Sequence, residues 1–292
     1  MEIEDLETFV EVADSGGITA AAKRLNVAKS IVSRRLFRLE TELGVQLLAR
    51  TTRGAALTEA GATFRDHAVR VRAEIETARE EVLPSGELRG RLRIAAPSSF
   101  GPSHFAPALA AFARRHPSLH IHTYYSDRYV DLVGEGFDCG IRVGYLADSN
   151  LLARQIGSFA VHLFASPRYI SEHGAPETPD DVLAHEAIMQ GRESWKFSDG
   201  NKIFPIHPHG RFKADSAIAL AEAAAAGVGI AALPDVIAER DLASGELVRV
   251  MSGYSLPSVG IFVVRPPAQH LTRKVRVLIE FLIEKFRLDG SP

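Results

Sequence analysis

TAAAKRLNVAKSIVSRRLFRLE, residues 19–40, sets two short helical patterns on either side of a turn too tight to be a linker. In the first, Ala21, Ala22 and Leu25 share a face, Thr19 stands where its hydroxyl oxygen can cap the first turn, and Asn26 tolerates the left-handed backbone that closes such a helix. In the second, Val32, Leu36, Leu39 and Leu43 recur at steps of four, three and four, which puts all four on one face, expected to be buried. The opposite face carries Ser30, Arg34, Phe37 and Arg38, flanked by Lys29, Ser33 and Arg35. Two helices joined in this way form a helix-turn-helix, and the outer face of the second has groove-facing chemistry. Arg fits guanine bidentately, Ser reaches base edges or phosphates, and an exposed Phe can lie against a thymine methyl.

An ordinary solvated cationic face is the competing explanation for such a helix, and its surroundings argue against it. Residues 23–53 hold Lys23, Arg24, Lys29, Arg34, Arg35, Arg38, Arg50 and Arg53 against Glu40 and Glu42 alone, a local net of +6 in a chain whose total is −2. A cationic patch on a near-neutral chain suits phosphate binding, with an affinity weakened by salt. The following GVQLLARTTRGAALT, residues 44–58, contains apolar runs at Val45–Leu48 and Ala55–Leu57 around a Thr-Arg-Gly turn. This reads as a β-wing with Arg53 at its tip. Lys29, Ser30, Ser33, Arg34, Phe37, Arg38, Arg50 and Arg53 are the residues expected to contact DNA.

Thr58 can cap a long helix that starts at Glu59 and runs to about Leu83, where Pro84-Ser85-Gly86 stops it. Within it Gly61, Phe64, Ala68, Val71, Ile75, Ala78 and Val82 recur with a mean spacing of 3.5 residues. That period holds a seam to one side when the helix supercoils with a partner, whereas packing on a globular core drifts toward 3.6. Phe64, Ala68, Val71, Ile75, Ala78 and Val82 are therefore the expected dimer contact, with packing inside one chain as the alternative. Such a dimer carries two recognition helices about 34 Å apart and calls for an interrupted palindrome in the DNA.

The chain is long enough for about two domains, with 292 residues, 46% hydrophobic and 24% charged. The single Cys139 excludes an internal disulfide and reads as a small buried side chain. The N-terminal MEIEDLETF has neither a basic segment nor an apolar core, and no run of 18 or more apolar residues occurs, so the protein is expected in the cytoplasm.

From residue 87 onward strand and helix patterns alternate. LRIAA at 92–96, a helix ending in the run Pro107–Arg115, LHIHTYY, a short amphipathic helix at Arg128–Val133 and CGIRV at 139–143 form a βαβ series. Strand-like runs follow at Val161–Ala165, Ala187–Gln190, Arg211–Ala214 and Ile230–Leu233, with a helix at Ser216–Ala226. A strand at Gly260–Val264 and a helix at Thr272–Phe286, with Val275, Ile279, Leu282 and Phe286 on one face, close the chain. Open α/β folds bind ligands beyond strand C-termini and at helix N-termini. This points to Ser98-Ser99, after the first strand, and to Asp215-Ser216, before the alanine-rich helix, with plain helix capping as the alternative at both. Arg142, a charged residue inside the apolar IRV, needs a partner or an anionic ligand if buried, and a structural ion pair would serve equally.

The sequence resembles the LysR-type transcriptional regulators. Its N-terminal part carries the likeness at Leu6, Phe9, Val12, Ala13, Ser15, Ala21, Ala22, Leu25, Ser30, Val32, Ser33, Arg34, Leu39, Glu40, Leu43, Gly44, Leu47, Arg50, Leu57, Thr58 and Gly61. SDRYVDLVGEGFDCGIRVG at 126–144, SPRYISEHGAP at 166–176, AAAGVGIAALP at 224–234 and SGELVRV at 244–250 extend it over nearly the whole chain. Ala28 departs from the usual capping Ser, Lys29 from a common Gln or Pro, and Leu48 from the usual Phe.

The resemblance implies an α/β chain in three parts: a winged helix-turn-helix at 1–58, a linker helix and hinge at 59–86, and an effector-binding domain at 87–292. That domain would resemble the periplasmic binding proteins, with lobe I at about 87–162 and 266–292 and lobe II at about 163–265. By analogy Ser98, Ser99, Ser126, Arg142, Gln190 and Ser216 line the cleft, and a small-molecule effector bound there modulates DNA binding. The linker helix pairs two subunits in that family, tetramers are expected, and an activator would also meet RNA polymerase.

Enzyme readings lack support. Gly227-Val-Gly-Ile-Ala-Ala232 matches a dinucleotide pattern but follows a helix and precedes a strand, the reverse of the phosphate-binding order, so it reads as a tight turn. His207 and His209, and His116, His120 and His122, lack a ligand set of known spacing, so neither a metal nor a cofactor is expected. The competing functional class is a small-molecule-binding α/β protein or enzyme whose N-terminal module serves only assembly.

Overall fold

The computed structural model describes the chain apart from residues 52–53, 83–86, 146–149, 192, 200–201, 268–270 and 289–292. It forms two compact units, the first built on Met1–Glu87 and the second on most of the remainder.

The first unit contains α1 (Ile3–Ser15), α2 (Ile18–Leu25), α3 (Lys29–Leu43), the antiparallel hairpin of β1 (Leu48–Thr51) and β2 (Gly54–Leu57), and α4 (Glu59–Val82). Phe9, Val12, Ala21, Val32, Leu39 and Leu47 are buried at its centre. Each large member contributes roughly 1.5–3 kcal/mol by leaving water. Asn26 adopts φ 53° and sends its N–H to the carbonyls of Ala22 and Lys23, ending α2 as the sequence predicts. Thr19 does not cap α2: the helix already begins at Ile18, because Ile18 packs on the core and Gly17 supplies the extended backbone before it. Leu43 is exposed rather than buried, since α3 ends there at the left-handed Gly44. Thr58 caps α4 by accepting the Gly61 N–H at 3.0 Å. The proposed stop at Pro84-Ser85-Gly86 lies outside the described residues.

The second unit runs β3 (Gly90–Ala96), a π-type turn at Gly101–Phe105 continuing into α5 (Ala106–Arg115), β4 (Leu119–Tyr125), β5 (Cys139–Gly144), β6 (Leu152–Phe159) and β7 (Val161–Ala165). It continues through α6 (Pro167–His173), a 3-10 turn at Pro179–Ala184, β8 (Ala187–Met189), β9 (Trp195–Asp199), β10 (Lys202–Ile206) and β11 (Phe212–Lys213). The last elements are α7 (Ala217–Ala225), β12 (Ile230–Pro234), α8 (Asp235–Ser244), β13 (Val248–Val250), β14 (Val259–Arg265) and α9 (Arg273–Leu288).

Two five-stranded sheets result, ordered β4-β3-β5-β14-β6 and β11-β8-β12-β7-β13. In each the first three strands are parallel and the fourth is antiparallel to them. The chain crosses between sheets twice, at Ala160 and again between Val250 and Val259. This second crossing corrects the expected boundary at 265–266. β14 belongs to the first sheet, where Ile261, Val263 and Val264 are buried between β5 and β6.

The first sheet packs on α5 and α9, with Val275, Ile279, Leu282 and Phe286 inward as the spacing predicts. No helix forms at Arg128–Val133. This segment is irregular and closes over the other sheet face, where Val130, Leu132 and Phe137 bury against Ala95 and Val264. Gly227 takes φ +81° in the short connection from α7 to β12, as a helix-to-strand turn requires, and Cys139 is fully buried.

Candidate functional site

The outer face of the helix-turn-helix divides into two sets of side chains. The first is tied to α1. Asp5 is fully buried and accepts from Arg38 Nε at 2.8 Å and Arg38 NH2 at 2.5 Å. Burial pushes the Asp5 carboxyl up, but the Arg38 hydrogen bonds, the Glu2 N–H and the charges of Arg38 and Arg35 outweigh it and hold the group below the usual carboxylate value. Arg35 lies 3.7 Å from Glu4 and donates to the Thr8 hydroxyl at 3.3 Å, and Arg24 meets Glu11 at 3.0 Å. These three arginines fasten α2 and α3 to α1.

The second set remains available. Lys29, Ser30, Ser33, Arg34 and Phe37 are exposed, and among the described residues none forms a side-chain hydrogen bond or ion pair. Lys23 and Lys29, with Thr19, Asn26 and Ala28, line a shallow concavity at the turn. Ala28 leaves the first turn of α3 without a side-chain cap.

Glu40, at the far end of α3, accepts the backbone N–H groups of Leu47 and Leu48 at 2.8 and 3.0 Å and so fixes where the wing leaves the helix. Arg50 pairs with Ala55 within the wing, but its side chain and the whole of Arg53 lie outside what is described.

Along α4 the apolar repeat splits as well. Ala68 is buried and Phe64 stacks edge-on against Phe9 at 5.4 Å, so both belong to the first unit's own core. A Cβ on Gly61 would fall 1.9 Å from the Leu47 carbonyl, so this helix end is pressed directly onto the chain below it. Val71 and Ala78 are exposed and Ile75 half-buried, leaving the second half of the seam uncovered, while the Val82 side chain is not described.

In the second unit the six remaining candidates stand at or beyond the C-terminal ends of parallel strands. Ser98 and Ser99 follow β3, Ser126 follows β4 and Arg142 lies near the end of β5. Gln190 follows β8 and Ser216 follows β11. The structure joins the two groups at Ser99. Its buried hydroxyl donates to Asp127 at 3.1 Å, lies 3.2 Å from the Ser216 hydroxyl, and accepts the Ala217 N–H at 3.0 Å. Asp127 also accepts the Ser99 N–H at 3.1 Å. The Ser99 side chain and backbone amide are thus already partnered by a carboxylate of the protein itself.

Ser126 accepts the Arg128 N–H at 3.2 Å, which turns the chain after β4. Gln190 donates from its carboxamide to the Asp215 carbonyl at 3.1 Å. Ser98, half-buried, forms no side-chain hydrogen bond among the described residues. Arg142 is half-buried and has no carboxylate partner among them. Its contacts are the Arg128 and Val130 carbonyls, at 3.5 and 3.4 Å, and the Tyr129 ring, 5.0 Å from the guanidinium carbon. Burial lowers its pKa, with Tyr129 acting weakly in the opposite sense.

Two family models match the chain. The bacterial regulatory helix-turn-helix protein, lysR family, covers residues 3–62, and the LysR substrate binding domain covers residues 85–287. The chain belongs to the LysR family of transcription regulators.

An HTH-type transcriptional regulator of Xanthomonas campestris is 36% identical to it, covering 99% of this chain and 87% of its own. The regulator PtxR of Pseudomonas aeruginosa is 35% identical over 100% of this chain and 96% of its own. The solved structure of CrgA, a LysR-type transcriptional regulator from Neisseria meningitidis, superposes with TM-score 0.59 at 31% identity, covering 98% of this chain and 99% of that one.

As a LysR-type regulator the chain combines a DNA-binding helix-turn-helix with an effector-binding regulatory domain. Its family consists of transcription regulators rather than enzymes. LysR-type regulators bind DNA and small-molecule effectors and form oligomers. The partners of Asp5, Glu40 and Asp127 are set by the fold rather than by any sequence pattern. Asp127 lies two residues beyond the end of β4, the parallel strand next to the one that Ser99 follows, but nothing in the sequence marks it as the partner of Ser99.

Proposed function

We propose that this regulator reads DNA through Lys29, Ser30, Ser33, Arg34 and Phe37, with Arg50 and Arg53 of the wing on the adjacent backbone, and that Arg38 positions the recognition helix instead of contacting bases. The support is the division of the cationic face: Arg38 is committed to a buried carboxylate and Arg34 is not. Lys23 and Lys29 beside the open concavity suit a phosphate. Subunits pair through Val71, Ile75, Ala78 and Val82, the DNA site is an interrupted palindrome, and tetramers assemble from such pairs. The protein works in the cytoplasm, where its DNA is, and as an activator it would also contact RNA polymerase. Three functional parts correspond to residues 1–58, 59–86 and 87–292.

The effector occupies the space beyond the strand ends that carry Ser98, Ser126, Arg142, Gln190 and Ser216, with Ser99 as the junction beside it. The observation that carries this reading is Arg142, a half-buried cation facing carbonyls and a tyrosine ring but no described carboxylate. A buried charge without a counterion is costly, and an anionic ligand removes the cost. The effector acts by binding two assemblies of the regulator with different affinity.

A thermal-shift screen of small organic anions against the full-length protein tests this. At least one anion should raise Tm in the native protein, and Arg142→Gln should abolish that shift while leaving the unliganded Tm nearly unchanged. A shift that survives Arg142→Gln removes Arg142 from the site.

A further inference from the structure

Phe37 is 71% exposed in the middle of α3, a helix whose apolar face is complete without it. Its neighbours on the same surface are Ser33 and Arg34, one turn earlier, and Thr41, one turn later, whose hydroxyl folds back to the Phe37 carbonyl at 2.7 Å. The ring therefore stands alone in a polar, cationic stripe. An apolar protein surface covering it would also bury the unpaired Arg34, which is costly. A DNA groove supplies both complements, phosphate charge around the rim and, where the base is thymine, a methyl group on the floor.

From this we infer that Phe37 reads a thymine methyl one or two base pairs from a guanine read by Arg34, and that this pair of residues sets the base preference of the recognition helix. The spacing follows from geometry. Three residues of helix advance about 4.5 Å, close to the rise of one to two base pairs when the helix lies along the groove. The buried Asp5–Arg38 pair holds α3 against α1, so the two readers are presented at a fixed rotation. The inference rests on the reading that α3 enters the major groove, and the experiment separates the two.

Full-length wild-type, Phe37→Ala, Phe37→Leu and Arg34→Ala proteins are each used to select from a duplex library randomised over about three helical turns. The wild-type winner is then resynthesised with deoxyuridine for each thymine in turn, which removes only the methyl. The wild-type consensus should hold a T·A pair one or two steps from a G·C pair in each half-site. Uracil at that thymine should weaken wild-type binding about fourfold per half-site, the worth of one buried methyl. Phe37→Ala should bind the thymine and uracil duplexes equally, Phe37→Leu should retain part of the preference, and Arg34→Ala should relax the G·C position instead. Equal circular dichroism and Tm among the variants would show that the exposed substitution leaves the fold intact. A wild-type consensus that Phe37→Ala leaves unaltered, or wild-type indifference to uracil, overturns the role of Phe37. Absence of any enriched sequence with the wild type overturns base reading by α3 as a whole.

Discussion

Asp5 shows how far the chemistry of a surface arginine depends on what lies beneath it. Its carboxylate is fully buried, and Arg38 is the charged group that meets it. Because the folded-state pKa lies below the ordinary carboxylate value, the pair contributes stability above the unfolded-state pKa, near the usual aspartate value of 3.8, and loses it as pH falls through the lower folded-state value. Asp5→Asn should therefore lower the Tm of the DNA-binding unit by several degrees at neutral pH, and the difference from wild type should shrink on acidification below about pH 4. Calorimetry from pH 3 to 7 checks this, and a constant difference over the range would sink it. Neither Asp5 nor Asp127 is legible in the sequence as a partner. Asp5 pairs with a residue 33 positions away and Asp127 with one 28 away, distances that only folding closes.

Elements differ in how much of themselves they announce. The recognition helix, the wing and α9 are legible because a buried stripe imposes its spacing directly on the chain. The repeat in α4 is legible too, but its meaning is not. Phe64 and Ala68 satisfy the same 3.5-residue spacing as Val71 and Ile75, yet they pack on Phe9 and the first unit's own core. A periodic stripe states that something covers it, not which chain does so. The strand β14 poses the same difficulty in another form, since its apolar run would fit either sheet until pairing with β5 and β6 decides. On the proposed pairing, the seam between subunits is the second half of α4. Val71→Glu and Ile75→Glu should each shift the sedimentation of the full-length protein toward monomer, whereas Phe64→Ala should chiefly unfold the first unit. Unchanged sedimentation in both Glu variants would mean that the subunits pair elsewhere.

At the scale of the whole molecule, charge is concentrated where it is used. The chain carries a net −2, while Lys23, Lys29 and Arg34 face outward without carboxylate partners among the described residues. Binding to any duplex should therefore be strongly salt-dependent. If two paired units make on the order of 6–10 phosphate contacts, affinity falls by about a thousandfold or more between roughly 50 and 200 mM salt. A fluorescence-anisotropy titration over that range checks it, and a flat response would remove the backbone contacts from the reading. The effector half is less legible at this scale. Strand ends mark where a ligand can sit, but the sequence does not disclose that Asp127 already holds Ser99, or that Arg142 lacks a described carboxylate.

In the proposed scheme, the Ser99 junction would make the regulator's sensitivity a property of the protein as well as of the ligand. It links loops that follow strands of two different sheets through Asp127, Ser216 and the first amide of α7. If binding requires this junction to open, apparent affinity is the intrinsic affinity multiplied by the open fraction. A junction open in about one molecule in ten sets the response threshold tenfold above the intrinsic dissociation constant. Ser99→Ala, which touches no part of the effector in this scheme, should then shift the dose–response curve to lower concentration without changing its plateau. In those terms the internal carboxylate is a dial for the concentration at which a gene responds, adjustable without redesigning the pocket.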